Sequence, residues 1–283
     1  MAVPGRTSDA MKDMPSAAAV VPPPPRVYNG VNWEGLRTLY LREVRRFWKV
    51  GMQTLTAPVV TALLYMLVFV VAVGRRRVIE GVDFSLFIIP GLVMMQILSN
   101  AFSNSSSSLL QAKMNGLIGD FLMPPLSPGE QVIGFAAGAA TRGIAVGAIA
   151  GLATIPFAHG LQIAHPWAVL YFGLGASLVM GLLGIVAAIW SEKFDHIAAV
   201  TNFVIMPMTF LSGTFYLVEG LPEPFRTISH FNPFFYLIDG FRYGFIGAAD
   251  GSIAIGAALT AGLVVFLTAV CWRMFATGYK LKT

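Results

Sequence analysis

The run WAVLYFGLGASLVMGLLGIVAAIW, Trp167 to Trp190, contains no Asp, Glu, Lys, Arg or His, and its length decides what kind of protein this is. Its 24 residues exceed the roughly 20 apolar residues that a helix needs to cross a bilayer. A tryptophan stands at each end, where indole rings prefer the headgroup layer. Reading outward in both directions finds more such runs. Of 283 residues, 56% are hydrophobic and 12% charged, against about 45–50% and about 25% in a soluble domain, and the mean hydropathy is +0.70. A soluble enzyme, a coiled coil, collagen and a wholly disordered chain are excluded, and an all-α polytopic membrane protein is predicted.

Six spans are predicted, at roughly 53–73, 84–104, 132–156, 167–190, 201–218 and 252–272. Trp48 precedes the first and Trp272 closes the sixth. An even number places both termini on one side of the membrane. Eight of the 19 basic residues fall within the first 50 residues, so the net charge of +5 reads as a cytoplasmic anchor facing anionic lipid, with no call for nucleic acid. With the termini inside, 13 of the 19 basic residues are cytoplasmic. Arg75, Arg76, Arg77, Arg226 and Arg242 then lie outside and Arg142 lies within a span. The triplet Arg75 to Arg77 is an exception to the positive-inside rule, and two readings of it stay open: a solvated loop beside Glu80 and Asp83, or a hold on an acidic group of a substrate.

The first 30 residues have no apolar signal core and include Pro22 to Pro25, so residues 1–31 are expected to be a disordered, Pro-rich cytoplasmic tail and residues 32–283 the membrane domain. Residues 32–49 carry Trp33, Leu36, Tyr40, Val44, Phe47 and Trp48 at spacings of three and four, with Glu34, Arg42, Arg45, Arg46 and Lys49 opposite. That pattern predicts an amphipathic helix lying in the membrane interface. Between spans five and six, Glu219 to Asp250 is aromatic yet broken by Pro222, Pro224, Pro233, Asp239 and Arg242. A pair of short helices that dip into the outer leaflet without crossing is expected there.

Little in the chain can carry covalent chemistry. Nothing matches G-x-x-x-x-G-K-[ST], H-E-x-x-H, C-x-x-C or G-x-S-x-G, so no nucleotide cradle, metal site or hydrolase elbow is predicted. The one cysteine, Cys271, cannot form an internal disulfide. His159, His165, His196 and His230 all fall in connections, and none of the 14 acids falls inside a predicted span. Arg142 alone is deeply placed, where a lipid-facing guanidinium costs at least about 2.5 kcal/mol. Gly134 and Gly138 precede it at a four-residue spacing, and Gly143, Gly147 and Gly151 form a second ladder, so its face is expected to pack on another helix and Arg142 to point into protein or a wet cavity. Satisfying backbone carbonyls and touching substrate or a gate both remain open for it.

The longest internal connection on the cytoplasmic side is Ser105 to Gln131, SSSSLLQAKMNGLIGDFLMPPLSPGEQ. Its middle, Leu109 to Leu122, has helical spacing and is stopped by Pro124, Pro125 and Pro128. A docking element for a soluble partner and a plain linker are the two readings of it.

Three stretches resemble the permeases of the ABC-2 type transporters: PGLVMMQILSNAF at Pro90 to Phe102, DFLMPPLSPGEQVIG at Asp120 to Gly134, and NPFFYLIDGFRYGFIG at Asn232 to Gly247. The resemblance extends over about residues 32–280. It implies a six-helix subunit with an N-terminal interfacial helix, working as a homodimer or paired with another permease in a bacterial inner membrane. It also implies two separate P-loop ATPase subunits that bind the ATP and Mg, this chain binding no cofactor itself. The connection after span two would be the coupling helix, making Lys113, Asn115, Leu117, Ile118, Asp120 and Phe121 the docking candidates. The segment with Asn232, Pro233, Asp239, Arg242 and Tyr243 would be the outer-leaflet helices. Met94, Met95, Phe203, Met206, Met208 and Phe210, with Arg142, are candidates for a path taking a lipophilic, drug-like, lipid or saccharide substrate. In the coupling region the acid stands at Asp120 and not shortly before Leu117, which leaves the docking register open, and Gly116 and Gly119 each lower helix propensity by about 1 kcal/mol. The competing readings are a stand-alone secondary transporter or channel, for which Arg142 offers a thin midplane site, and an intramembrane transferase or protease, which lacks a convergent nucleophile and base.

Overall fold

The structure is a computed structural model that describes residues 30–73, 78–79, 82–157, 160 and 162–281. Nearly all of the expected tail, the Arg75 to Arg77 triplet, Glu80, His159 and Lys282 lie outside the described residues. Helix α1 (Trp33–Lys49) is followed directly by α2 (Gly51–Val73). A two-residue antiparallel pairing of Val78–Ile79 with Val82–Asp83 leads into α3 (Phe84–Met114), and α4 (Gly119–Leu122) is a single turn. Then come α5 (Pro128–Thr154), α6 (Pro166–Trp190), α7 (Phe194–Val200) and α8 (Met206–Phe210), with a π-helical stretch Thr201–Ile205 joining the last two. Helices α9 (Phe225–Phe231), α10 (Pro233–Ile246) and α11 (Ile253–Thr277) complete the chain. Four of these, α3, α5, α6 and α11, are long and apolar enough to cross a membrane, or five if α1 and α2, bent by 62° to each other, are taken as one broken span.

Helix α3 is the central element. It packs along α5 and α6 and touches α2 and α10, and 22 of its residues are buried, from Phe84 to Ala112. The predicted second span stops at residue 104, but the helix runs on to Met114. Nothing between Asn104 and Gly116 breaks it, and the Ser106 and Ser107 hydroxyls donate back to the carbonyls of Phe102 and Ser103 at 2.8 and 2.6 Å. At 31 residues it is about 46 Å long, more than the roughly 30 Å of hydrocarbon. The segment 115–127 follows its last turn.

Close helix contact explains the small residues. A Cβ at Gly134 would lie 2.6 Å from Leu39 Cδ2, and one at Gly138 would lie 2.6 Å from Glu43 Cβ. These two glycines seat α1 on α5. The second ladder serves a different neighbour: a Cβ at Gly143 would lie 3.0 Å from Ala101 Cβ on α3. On α6, one at Gly184 would meet Phe102 O at 2.6 Å. In lipid, where the hydrophobic effect does not drive helices together, such close approaches supply the dispersion contact that holds them.

One predicted element moves. The fifth is helical over Phe194–Phe210 and not 201–218. It ends where Gly213 takes a φ of +73°, and its middle winds as a π-helix just before Pro207, whose missing N–H and ring disturb the regular ladder. The segment 219–250 holds a pair of short helices, α9 and α10, and Phe234, Phe235, Leu237, Ile238, Asp239, Phe241 and Arg242 of α10 are buried, packed on α6, α3 and α11.

Candidate functional site

At the end of α3 the chain turns through Gly116 with φ +70°, a conformation that costs a side-chain-bearing residue about 1–2 kcal/mol. The turn divides the six docking candidates into two groups. Asn115, Leu117 and Asp120 are exposed, as is Met114, and Leu117 keeps 45% of its surface. Lys113 and Phe121 face inward. Lys113 Nζ donates to the carbonyls of Ile189 and Ser191 at 2.9 and 3.0 Å, capping the end of α6, where a cation is favoured. Phe121 is buried, its ring 5.4 Å from that of Phe135 and covered by the Arg42 guanidinium at 4.0 Å. Ile118 is half-buried between the two groups. The segment 114–120 is thus pinned at both ends and presents its middle.

Two more contacts brace this end. Glu130 closes a capping box with Ser127 at the start of α5 and also accepts from the backbone N–H of Asn32, the N-cap of α1, at 2.6 Å. Lys280, just past the end of α11, donates to Glu192 Oε1 at 3.2 Å, and that bond, with the charge behind it, holds the Glu192 carboxyl below its ordinary value. Burial at the helix starts could not be inferred for Glu130 from spacing alone, although its capping-box pattern with Ser127 was visible.

A buried polar ladder leads away from the docking end. Gln96, Asn100, Asn104 and Ser108 recur every four residues on α3 and are all buried. Ser108 Oγ donates to Glu43 Oε1 at 2.7 Å, and Glu43 Oε2 lies 3.5 Å from Arg46 Nη2. Arg46 also donates to Asn104, to its carbonyl at 2.7 Å and its side-chain oxygen at 3.0 Å, and to Ser107 Oγ at 3.2 Å. One turn further along, Arg142 Nη2 is 3.3 Å from Asn100 Oδ1. Arg142 therefore points into protein, as its glycines required. Sequence reading assigned Arg46 to a solvated face and passed over Glu43, yet both are tied to α3. The signal available was the four-residue period of amides and serines along α3.

The path candidates are not gathered in one place. Met94 is wholly buried in the core among α3, α6 and α10, where it serves packing, while Met95, Met208 and Phe210 line the edge of that core. Phe203 and Met206 stand exposed on the fifth element, at 82% and 44%. In the Asn-Pro motif, Asn232 caps α10 by accepting from Phe234 N at 3.0 Å and donates to Met208 O at 2.6 Å and Ser212 Oγ at 2.8 Å. Pro233 starts the helix, where its missing N–H costs nothing. Asp239 accepts from the N–H groups of Asp250 and Gly251 at 3.0 and 2.9 Å. Arg242 donates to Gly213 O over the Phe87 ring, 4.0 Å away. Tyr243 stacks on His165 at 4.5 Å. These residues fasten α10 to the loops around it.

Comparison with known proteins shows the family of the chain. The chain is 32% identical over 256 residues to the inner membrane transport permease YadH of Escherichia coli (strain K12), covering 89% of this chain and 98% of that one. It is 27% identical over 198 residues to Nodulation protein J of Rhizobium leguminosarum bv. viciae, covering 65% and 70%. The sequence profile of the ABC-2 type transporter family matches residues 34–246, a range that covers α1 from its second residue, the 114–120 turn, the polar ladder and the Asn-Pro motif. This chain is a membrane transport permease and belongs to the ABC-2 type transporter family.

Proposed function

We propose that this chain is the membrane subunit of an ATP-driven exporter of the inner membrane, paired with a second permease copy and with two separate P-loop ATPase subunits that carry ATP and Mg. It crosses the membrane six times, through α2, α3, α5, α6, the α7–α8 element and α11, with both termini in the cytoplasm and α9 and α10 in the outer leaflet. The observation that carries this reading is the turn at 114–120. It sits beyond the apolar length of α3, is anchored by Lys113 and Phe121, and offers Met114, Asn115, Leu117 and Asp120 to a partner. Closure of the ATPase pair on ATP drives α3 and α1 together, since Arg46 and Glu43 tie those helices to each other. The energy source is the differential affinity of ATP for the closed state. Phe203 and Met206, exposed on the fifth element, belong to an apolar path suited to a lipophilic, drug-like or lipid-linked saccharide substrate.

Purification of the tagged chain from its native locus in mild detergent tests the assembly: a soluble P-loop ATPase is expected at near one-to-one ratio, and a chain that purifies alone across several detergents refutes it. Leu117→Asp tests the docking turn within that complex. It should abolish permease-stimulated ATP hydrolysis while the protein stays folded in the membrane, because Leu117 is exposed and outside the buried core. Unchanged stimulation would remove the turn from the interface.

A further inference from the structure

We propose that Arg46 and Arg142 form a binding site for an oxyanion, the phosphate or carboxylate headgroup of an amphipathic cargo molecule, held between their two guanidinium groups beside α3. The polar ladder sets the pair. Arg46, from α1, donates through Nη2 to the side-chain oxygen of Asn104 at 3.0 Å, and Arg142, from α5, donates through Nη2 to that of Asn100 at 3.3 Å. The two asparagines are about 6 Å apart along the helix axis. Two cations from different helices therefore arrive on neighbouring turns of a third.

Three observations point to an anion. The first is charge. Arg46 has Glu43 at 3.5 Å, but among the described residues no carboxylate stands within ion-pair distance of Arg142, and the charge that acts on Arg142 is that of Arg46, another cation. The second is hydrogen bonding. Arg142 makes one side-chain bond, to a neutral amide, where a guanidinium has five N–H donors. Its Nε is buried without an acceptor, as are Arg46 Nε and the amide nitrogen of Asn104, a residue with no exposed surface. Buried donors ordinarily find acceptors. Water satisfies donors but leaves two like charges uncompensated, whereas an oxyanion supplies both lone pairs and charge and suits the guanidinium fork. The third is access. The Arg46 side chain is 28% exposed and Arg142 is half-buried, so neither is sealed in the core. Arg142 also stands near the middle of α5, a helix long and apolar enough to cross a membrane, where an ionisable side chain ordinarily serves function. A headgroup that reaches it has left the layer where headgroups lie, which favours a molecule in transit; to that extent the proposal rests on the exporter reading.

The test uses the purified full chain in detergent, with dioctanoyl phosphatidic acid as the probe and dioctanoylglycerol, the same chains without phosphate, as its control. Binding is read by native mass spectrometry and by the shift of the thermal transition. Expected is saturable binding of the phosphatidic acid that dioctanoylglycerol does not share, a comparison on the parent chain that needs no variant. Arg142→Gln should weaken that binding at least about ten-fold, the loss of one charge-assisted contact, and Arg142→Lys, which keeps the charge without the fork, should weaken it less. Without probe, Arg142→Gln should melt no earlier than the parent, because it removes one of two facing cations. A residue that only braced α5 on Asn100 would give earlier melting and unchanged binding, and that result overturns the proposal. Equal binding of dioctanoylglycerol, or an affinity indifferent to both substitutions, overturns it too. In the complex with the ATPase, hydrolysis stimulated by the probe and not stimulated in Arg142→Gln marks the ligand as cargo; binding without stimulation assigns the site to a resident lipid headgroup and overturns the cargo assignment. The binding measurements need no ATPase, so their failure leaves the exporter reading standing, and a chain that purifies alone leaves the site standing.

Discussion

Glu43 has no exposed surface, and its carboxylate is held by Ser108 on α3 and Arg46 on its own helix. Removing one member of a buried pair leaves the other charge without compensation, which costs about 3–5 kcal/mol, and the low end applies because the Arg46 side chain is 28% exposed. Glu43→Ala is therefore expected to lower stability by about 3 kcal/mol, measured as an earlier thermal transition in detergent. The double variant Glu43→Leu with Arg46→Met should lose far less, since no orphaned charge remains. Gly138 belongs to the same contact: any side chain there meets Glu43. Gly138→Val should separate α1 from α5 and cost about 1–3 kcal/mol in the same assay. The period of polar residues along α3 was visible in the sequence. Their partners on α1 were not, because those contacts join residues separated by 58 to 65 positions.

The proposed docking turn shows how one composition can hide two roles. Gly116 and Gly119 both read as weak points in a short helix. Only Gly116 adopts a left-handed φ, and neither has any atom within 4 Å of where a Cβ would be. Gly116→Ala should strain the turn by about 1–2 kcal/mol and weaken ATPase stimulation. Gly119→Ala should favour α4 by up to about 1 kcal/mol and preserve or raise stimulation; the pair of ATPase assays checks both signs. At the other side of this end, the Glu192 carboxyl is depressed by Lys280, so its contribution is present above the ordinary carboxylate value of 4.5 and is lost as pH falls through the lower folded value. Limited carboxypeptidase digestion should then release the C-terminal residues faster in acid, and Glu192→Gln should show the fast release already at neutral pH. The extension of α3 to Met114 escaped sequence reading because its serines look like linker, while in place they bond back to the helix and face α1 and α6.

At the scale of the molecule, the proposed orientation is open to direct test. Cys271 is buried, so an impermeant maleimide should leave the parent chain unlabelled. Asn115→Cys should label only after the cytoplasmic side is opened, and Glu219→Cys in intact cells; the opposite pattern would invert the topology. Membrane residence, the apolar runs α3, α5, α6 and α11, a helix over most of residues 32–49 and the paired short helices before α11 were all legible from residue order, because each depends on a local run of about 20 residues or on a 3.6-residue period. The inward turn of Phe121 and Lys113, the burial of Met94 and α10, the shift of the fifth element to 194–210 and the assignment of one glycine ladder to α1 and another to α3 required the folded chain. Each of those depends on which helix lies alongside, and where a helix is apolar on most sides, as α6 and α11 are, periodicity does not mark which face meets a neighbour and which meets lipid.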